Sequence, residues 1–140
     1  MSIEENKAIV RRWFDAWNKG NLEAMEECYA PDRREADKEY LKNTFSSWYG
    51  AFSDFCYIVD ALIAEEDRVA VSTRFTGTHD GLFQWSTYGP WPATGRHMAG
   101  REMFFFGLID GKIAEMTATW NPVDFMQQLG VSLAVTQAAS

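Results

Sequence analysis

The chain of 140 residues contains few cysteines, few basic side chains and no long apolar run. Its two cysteines, Cys28 and Cys56, match no metal-ligand spacing and make no disulfide framework. The formal net charge of −7 disfavours nucleic acid and anionic membranes as partners, because both require surfaces rich in lysine and arginine. No apolar run approaches the ~20 residues of a membrane-spanning helix, and the acidic start lacks the blocks of a signal peptide. We therefore expect a cytoplasmic protein.

Charged residues are especially scarce in the second half of the chain. Residues 1–68 hold 9 basic and 15 acidic side chains, whereas residues 69–140 hold only 4 and 5. The second half nevertheless carries ten aromatic residues. Such a segment is expected to be covered on both faces, by helices, a cavity or another subunit. We predict a homodimer or a higher homo-oligomer.

Apolar residues at helical spacing predict three helices in the first third of the chain. The first covers residues 3–18, where large side chains recur on one face and charges lie opposite. Asn21 is suited to cap a second helix, which ends before Pro31. Asp37 is suited to cap a third, which continues to about Ala51.

After Phe52 the pattern changes to alternating, β-favouring residues. Two strands joined at EED are followed by a long loop, GLFQWSTYGPWPATG, and then by two more strands joined at DG. Pro122 permits a last short helix through Leu129. Helices followed by consecutive antiparallel strands predict an α+β fold in which a curved sheet wraps around the N-terminal helices and encloses a cone-shaped cavity. We expect one domain over residues 1–132 and a C-terminal tail over residues 133–140.

Large aromatic residues are the expected lining of that cavity. Trp13, Trp17, Tyr57 and Trp120 could form a flat, apolar site for a ring-containing small molecule, or they could serve only as core. The loop aromatics are hard to bury in a short segment, and we interpret them as a lid or an interface arm.

Five stretches occur in an order that resembles one family. They are IVRRWFDAWNKGNLEAMEECYAPD at 9–32, TGTHDGLF at 76–83, PATGR at 92–96, IDGKI at 109–113 and TWNPVDFMQQLG at 119–130. Together they resemble the SnoaL-like polyketide cyclases of the nuclear-transport-factor-2-like superfamily, which includes ketosteroid isomerase. The resemblance implies the cone-shaped fold, and an enzyme that needs no cofactor or metal. It implies acid/base chemistry, such as cyclisation or isomerisation, on a ketone-bearing polyketide or polycyclic molecule.

The resemblance also points to candidate catalytic residues. The family's ending resembles W-D-x-x-D, whereas this chain has an amide, Asn121, in place of the first carboxylate. We expect Asp124 or His79 to move the proton, and Asn121 with Arg101 to hold the developing oxyanion. Replacement of Asp124 by Asn should then abolish turnover. Relatives often carry histidine or arginine where this chain has Gly107.

Three of these residues have a plain structural alternative. Asn121 precedes Pro122, and asparagine before proline is a common helix start. Asp124 then falls at the third helical position, where a carboxylate favours the helix dipole and can return a bond to the cap. His79 in TGTHDG could simply bond the backbone of a turn.

The strand before the DG turn leaves its inward face to be decided. The register suggested by ketosteroid isomerase places Arg101, Met103, Phe105 and Gly107 toward the cavity, and we take this as the prediction. A slip of one residue would present Glu102, Phe104 and Phe106 instead.

Two further functions stay open. Arg101 with Asp124 is the pair that could open or hydrate an epoxide. A non-catalytic, small-molecule-binding dimer of the same fold is the other alternative.

Overall fold

The computed structural model describes residues 2–133, in which three helices precede two antiparallel sheets and a last helix follows them. The helices are α1 (Ile3–Asn18), α2 (Leu22–Glu26), α3 (Glu35–Ala51) and α4 (Pro122–Leu129). The strands are β1 (Cys56–Glu65), β2 (Arg68–Thr78), β3 (Phe83–Trp85), β4 (Tyr88–Trp91), β5 (His97–Ile109) and β6 (Lys112–Trp120). The predicted α+β class, with a curved sheet around N-terminal helices, is confirmed.

Helix α1 is the element around which the sheet curves. The Ser2 hydroxyl caps it by accepting the Glu5 amide at 3.1 Å. Val10, Trp13, Phe14 and Trp17 recur at intervals of three or four residues, so they share one face and are all buried. That face contacts the inner side of the sheet through Phe104 and Phe106, as well as other rings.

The start of α3 differs from the prediction. Asp37 does not cap the helix; the N-cap is Arg34, three residues earlier, and the helix begins at Glu35. The reason is that the Asp37 carboxylate bonds the Arg34 guanidinium at 3.0 and 3.1 Å instead of a backbone amide. The end of α3 at Ala51 is as predicted.

The main sheet has the strand order β1-β2-β5-β6, with every neighbouring pair antiparallel. Asp110 and Gly111 both have positive φ, 51° and 74°, which is the conformation required by the predicted DG hairpin. The β1–β2 hairpin turns at Glu66 and Asp67. Inward residues of β2 and β5 alternate with outward ones and form the core with α1.

The segment predicted as a long loop contains a second, two-stranded sheet. Strands β3 and β4 pair Phe83 with Trp91 and Trp85 with Tyr88. The hairpin forms because its rings find partners on α3: Phe83 packs edge-on against Trp48 at 4.9 Å, and the Trp85 indole donates to Thr44 Oγ1 at 2.9 Å.

The predicted inward face of β5 is wrong. Met103 and Phe105 are 50% and 49% exposed, and Arg101 is also exposed, whereas Phe104 and Phe106 are buried against Trp13 and Phe14. The one-residue alternative is therefore the register that forms. A strand can present only alternate residues to the aromatic face of α1. Phe104 and Phe106, two residues apart, pack against that face together.

The end of the chain lies outside the described residues. The predicted tail covers residues 133–140, of which the structure describes only Leu133. Within residues 2–133, no helix has both the length and the apolar character needed to cross a membrane.

Candidate functional site

A cavity of about 550 Å³ lies between α1, α3 and the inner face of the main sheet. Its wall is largely aromatic because both α1 and the strands direct rings inward. The structure places four of the predicted pocket residues, Trp13, Trp17, Tyr57 and Trp120, on this wall. It does not bring Met103 and Phe105 there, since both project from the opposite face of β5. Trp85 from β3 and Trp48 from α3 also line the cavity.

The Glu102 carboxyl group lies within this aromatic cavity. Glu102 belongs to β5 and lies on the same inward face as Phe104, two residues further along the strand. Its Oε1 accepts a hydrogen bond of 2.8 Å from the Tyr57 hydroxyl. Burial raises the pKa of Glu102 to about 7, and the hydrogen bond from Tyr57 offsets part of that increase by favouring the charged form.

Backbone contacts hold the two members of this pair in place. The Asn18 side chain, at the end of α1, bonds both the amide and the carbonyl of Tyr57 at 2.8 Å. The Thr73 hydroxyl, on the strand between them, donates to the Glu102 carbonyl at 2.8 Å. Burial is the main reason that the pKa of Tyr57 lies well above its ordinary value, and the neighbouring charge of Glu102 raises it further. This phenol therefore stays protonated.

A second polar group lies on the cavity wall near the α2–α3 connection. The Trp13 indole donates to the Tyr29 hydroxyl at 3.0 Å. The Arg33 guanidinium lies 3.7 Å from the centre of the Tyr29 ring, close enough for a cation–π contact. Arg33 is itself held by Glu26 at 2.7 Å and by the Asp37 carbonyl at 2.8 Å.

His79 is fully buried but does not line the cavity. Its Nδ1 lies 2.9 Å from the Thr94 hydroxyl and accepts the Thr94 amide at 3.2 Å, and its ring stacks on Phe52. Burial lowers the pKa of His79, because the charged imidazolium is the form that burial disfavours. This histidine therefore stabilises the segment between residues 79 and 96 by bonding its backbone, which is the structural alternative to a catalytic role.

Asn121 and Asp124 lie on the surface at the start of α4. The Asn121 side chain accepts the Asp124 amide at 3.0 Å, which makes Asn121 the N-cap, with Pro122 at the first helical position. The Asp124 carboxylate accepts from Gln128 at 2.8 Å, one turn further along the helix. Both residues are exposed and neither lines the cavity.

Arg101 is exposed on the outer face of the sheet, so it does not meet Asp124 or an oxyanion inside the cavity. Gly107 also has a structural explanation. A Cβ there would collide with the Arg68 and Glu115 side chains, which form a 3.1 Å salt bridge beside it. A larger side chain at position 107 would have to displace that ion pair.

On the sequence alone, Glu102 is only the alternative to Arg101 as the inward charged residue of β5. A signal for it exists, since Glu102 is one of five acidic residues after position 68 and only Met103 separates it from the phenylalanine run at 104–106. An acid within an aromatic strand is expected to need a partner or a function.

A curved sheet closed by helices over an aromatic cavity defines a protein of the nuclear-transport-factor-2-like class. The chain belongs to the SnoaL-like polyketide cyclase family, whose sequence model matches residues 7–129. No curated protein matches the chain.

Solved structures with this fold agree over nearly their whole length. AclR from Streptomyces galilaeus, a proposed hydroxylase, has a TM-score of 0.78 and 26% identity, and the match covers 92% of this chain and 98% of the AclR chain. TsrD from Streptomyces laurentii has a TM-score of 0.80 at 20% identity, covering 94% and 99%. IdmH from Streptomyces antibioticus, a proposed polyketide cyclase, has a TM-score of 0.73 at 23% identity, covering 90% and 99%.

Proposed function

We propose that this protein is a cofactor-independent enzyme that removes a proton beside a ketone on a ring-containing small molecule, with Glu102 as the base. The observation that carries this proposal is the Glu102 carboxyl group in an aromatic cavity, 2.8 Å from the Tyr57 hydroxyl and with a pKa of about 7. Cyclisation or isomerisation of a polyketide-like substrate is the reaction class that this step serves.

The pKa of Glu102 suits both the removal of the proton and its later return to the substrate. A general base works best when its pKa lies near the working pH, because it is then ionised often enough to accept a proton and basic enough to hold it. A carboxylate at its ordinary pKa of 4.5 would be a weaker base, whereas one raised to about 7 can take the proton and later return it.

Tyr57 acts as a positioning residue for Glu102. Its hydroxyl donates to Oε1, whereas no group within residues 2–133 bonds Oε2, which leaves Oε2 for the substrate. Because the Tyr57 pKa lies well above neutrality, the phenol remains a donor through the reaction.

The proposed reaction requires only the substrate and Glu102. The Glu102 carboxylate takes the proton from the carbon beside the ketone. The electron pair of the C–H bond forms a C=C double bond, and the π pair of the carbonyl moves to its oxygen, which gives an enolate. In a cyclisation the enolate carbon attacks a second carbonyl of the same molecule and forms a C–C bond. The resulting alkoxide takes the proton back from Glu102. In an isomerisation the proton returns to a different carbon.

The cavity walls favour a flat, multi-ring substrate. Trp13, Trp17 and Trp120 offer faces and edges on which rings can pack, and about 550 Å³ is within the usual range for small-molecule sites. The epoxide alternative loses its support, because Arg101 and Asp124 do not meet in the cavity.

We also propose that the protein is a homodimer formed through the outer face of the main sheet. Met103 and Phe105 are about half exposed there, and Asp60 bonds the Arg74 guanidinium at 2.8 Å beside them. An apolar centre next to charges of both signs is suited to a second copy of the same surface.

Deuterium exchange into a simple ring ketone tests the catalytic proposal without knowledge of the natural substrate. We expect the protein to accelerate exchange of the α-protons of 2-tetralone in D₂O, followed by proton NMR. Binding of the ketone without any acceleration over buffer would favour the non-catalytic, small-molecule-binding alternative.

A further inference from the structure

The hydrogen bond between Trp13 and Tyr29 has a fixed direction. An indole N–H can only donate, so the Tyr29 oxygen is the acceptor in this 3.0 Å contact. The hydroxyl proton of Tyr29 must therefore point elsewhere. Within residues 2–133 it has no acceptor, although Tyr29 lies on the wall of the cavity.

Tyr29 is held in place through its ring and through the backbone on either side of it. The Arg33 guanidinium covers one face at 3.7 Å. The backbone on either side of Tyr29 joins β6, since the Ile113 amide donates to the Cys28 carbonyl at 2.8 Å and the Ala30 amide donates to the Ile113 carbonyl at 2.9 Å. Burial raises the pKa of Tyr29 to about 12, so its hydroxyl remains a donor at neutral pH. A fixed donor with no acceptor is suited to a ligand oxygen.

Tyr29 and Glu102 lie toward opposite ends of the same cavity. Tyr29 is bridged to Ile113, near the start of β6, whereas Glu102 pairs with Trp120, at its end. The seven-residue step between those strand positions corresponds to a backbone separation on the order of 20 Å, from which both side chains reach inward. Trp13 and Trp17, one helical turn apart on α1, line the space between them.

We propose that Tyr29 is a substrate-binding donor, and that the cavity selects multi-ring compounds carrying a second oxygen acceptor at the end away from Glu102. The second acceptor is a carbonyl, ether or hydroxyl oxygen. This inference rests on the proposed function only in taking the ketone near Glu102 as the reacting group.

A matched pair of probes tests the selection. Androst-4-ene-3,17-dione and androst-4-en-3-one differ only in a carbonyl at one end of a rigid, four-ring frame. Five of the six tryptophans line the cavity, so quenching of intrinsic fluorescence reports binding. We expect the wild-type protein to bind the dione about 5- to 10-fold more tightly than the monoketone, as one added hydrogen bond allows.

Tyr29→Phe should remove this preference by weakening the dione alone. Tyr40→Phe is the matched control, because Tyr40 also lines the cavity but is 61% exposed, and this variant should keep the preference. If Tyr29→Phe does not fold, as judged by thermal melting, Trp13→Phe serves instead: it frees the Tyr29 hydroxyl to rotate and should reduce the preference.

Equal binding of the two probes by the wild-type protein, failure of the dione to bind, or a preference that survives in Tyr29→Phe would each overturn the proposal. The result is separable from the catalytic proposal, since Glu102→Gln should retain the ratio of the two affinities while it loses exchange activity. A Glu102→Gln variant that keeps full exchange activity would contradict the catalytic proposal and leave the Tyr29 measurement intact.

Discussion

The Tyr57 hydroxyl on β1 donates a 2.8 Å hydrogen bond to the Glu102 carboxyl group on β5, across the intervening strand β2. The bond joins two groups whose pKa values burial shifts upward, and both line the aromatic cavity. It stabilises the carboxylate form of Glu102 against desolvation. The pair therefore sets how much of the protein carries an ionised base at neutral pH.

Replacement of Tyr57 by Phe should move the pH dependence of exchange upward. In the wild-type protein the exchange rate should rise with pH and level off above about 7, as Glu102 loses its proton. Without the Tyr57 hydrogen bond the charged form loses a stabilising contact, so the pKa of Glu102 rises further. The pH–rate profile of 2-tetralone exchange gives the midpoint for the wild-type protein and for Tyr57→Phe. An unchanged midpoint in Tyr57→Phe would show that this hydroxyl does not act on Glu102.

Replacement of Glu102 by Gln should stabilise the fold at alkaline pH. Between the ordinary pKa of 4.5 and the folded-state pKa of about 7, the folded protein holds a proton that the unfolded chain has released. Stability of the wild-type protein is therefore lost as pH rises through this range, by up to about 3 kcal/mol.

The matching measurement is urea unfolding of the wild-type protein and Glu102→Gln at pH 4 and at pH 8.5. The two proteins should differ little at pH 4, because the wild-type side chain is then neutral in both states. Glu102→Gln should be the more stable at pH 8.5. A variant that is less stable than the wild-type protein at pH 8.5 would show that Glu102 is not desolvated.

Asn121→Ala should lower the free energy of unfolding by about 0.5–2 kcal/mol while leaving exchange activity unchanged. Asn121 caps α4 through the Asp124 amide and lies outside the cavity. Asn43→Ala is the control, since Asn43 is exposed in the middle of α3 and the same substitution there should be neutral or slightly stabilising. Loss of exchange activity in a folded Asn121→Ala variant would instead support a role for Asn121 in holding the oxyanion.

Phe105→Asp should convert the proposed dimer to a monomer. Phe105 is half exposed on the outer face of β5, and a carboxylate there would oppose its own copy across a two-fold interface. Sedimentation equilibrium should give about twice the chain mass of 16.0 kDa for the wild-type protein and 16.0 kDa for the variant. Leu82→Asp, at an exposed position in the 79–82 turn region, should remain dimeric. A monomeric wild-type protein would contradict the dimer.

Local patterns were enough to predict most of the fold. Periodic residues in α1, the DG turn at Asp110 and the Asn121–Pro122 helix start each describe neighbours in the chain, and the structure forms all three. The β3–β4 hairpin was missed because its strands are short and depend on contacts with α3, about forty residues away in sequence.

The cavity could be predicted only in part. Trp13, Trp17, Tyr57 and Trp120 are large and fall on faces that sequence periodicity assigns. The register of β5 could not be assigned in this way, because Met103 and Phe105 are as apolar as Phe104 and Phe106. Contact with the rings of α1 decides between them, and a one-residue slip exchanges Arg101 for Glu102 as the charged residue beside the cavity.

The role of Glu102 as the base is tested most directly by comparing Glu102→Gln with Asp124→Asn in the 2-tetralone exchange assay. The sequence resemblance singled out Asp124, whereas the structure places Glu102 in the cavity and Asp124 on the surface of α4. We predict that Glu102→Gln loses exchange activity by about 10²- to 10⁴-fold and that Asp124→Asn keeps it within about twofold. Full activity in a folded Glu102→Gln variant, or loss in Asp124→Asn alone, would contradict the assignment of Glu102 as the base.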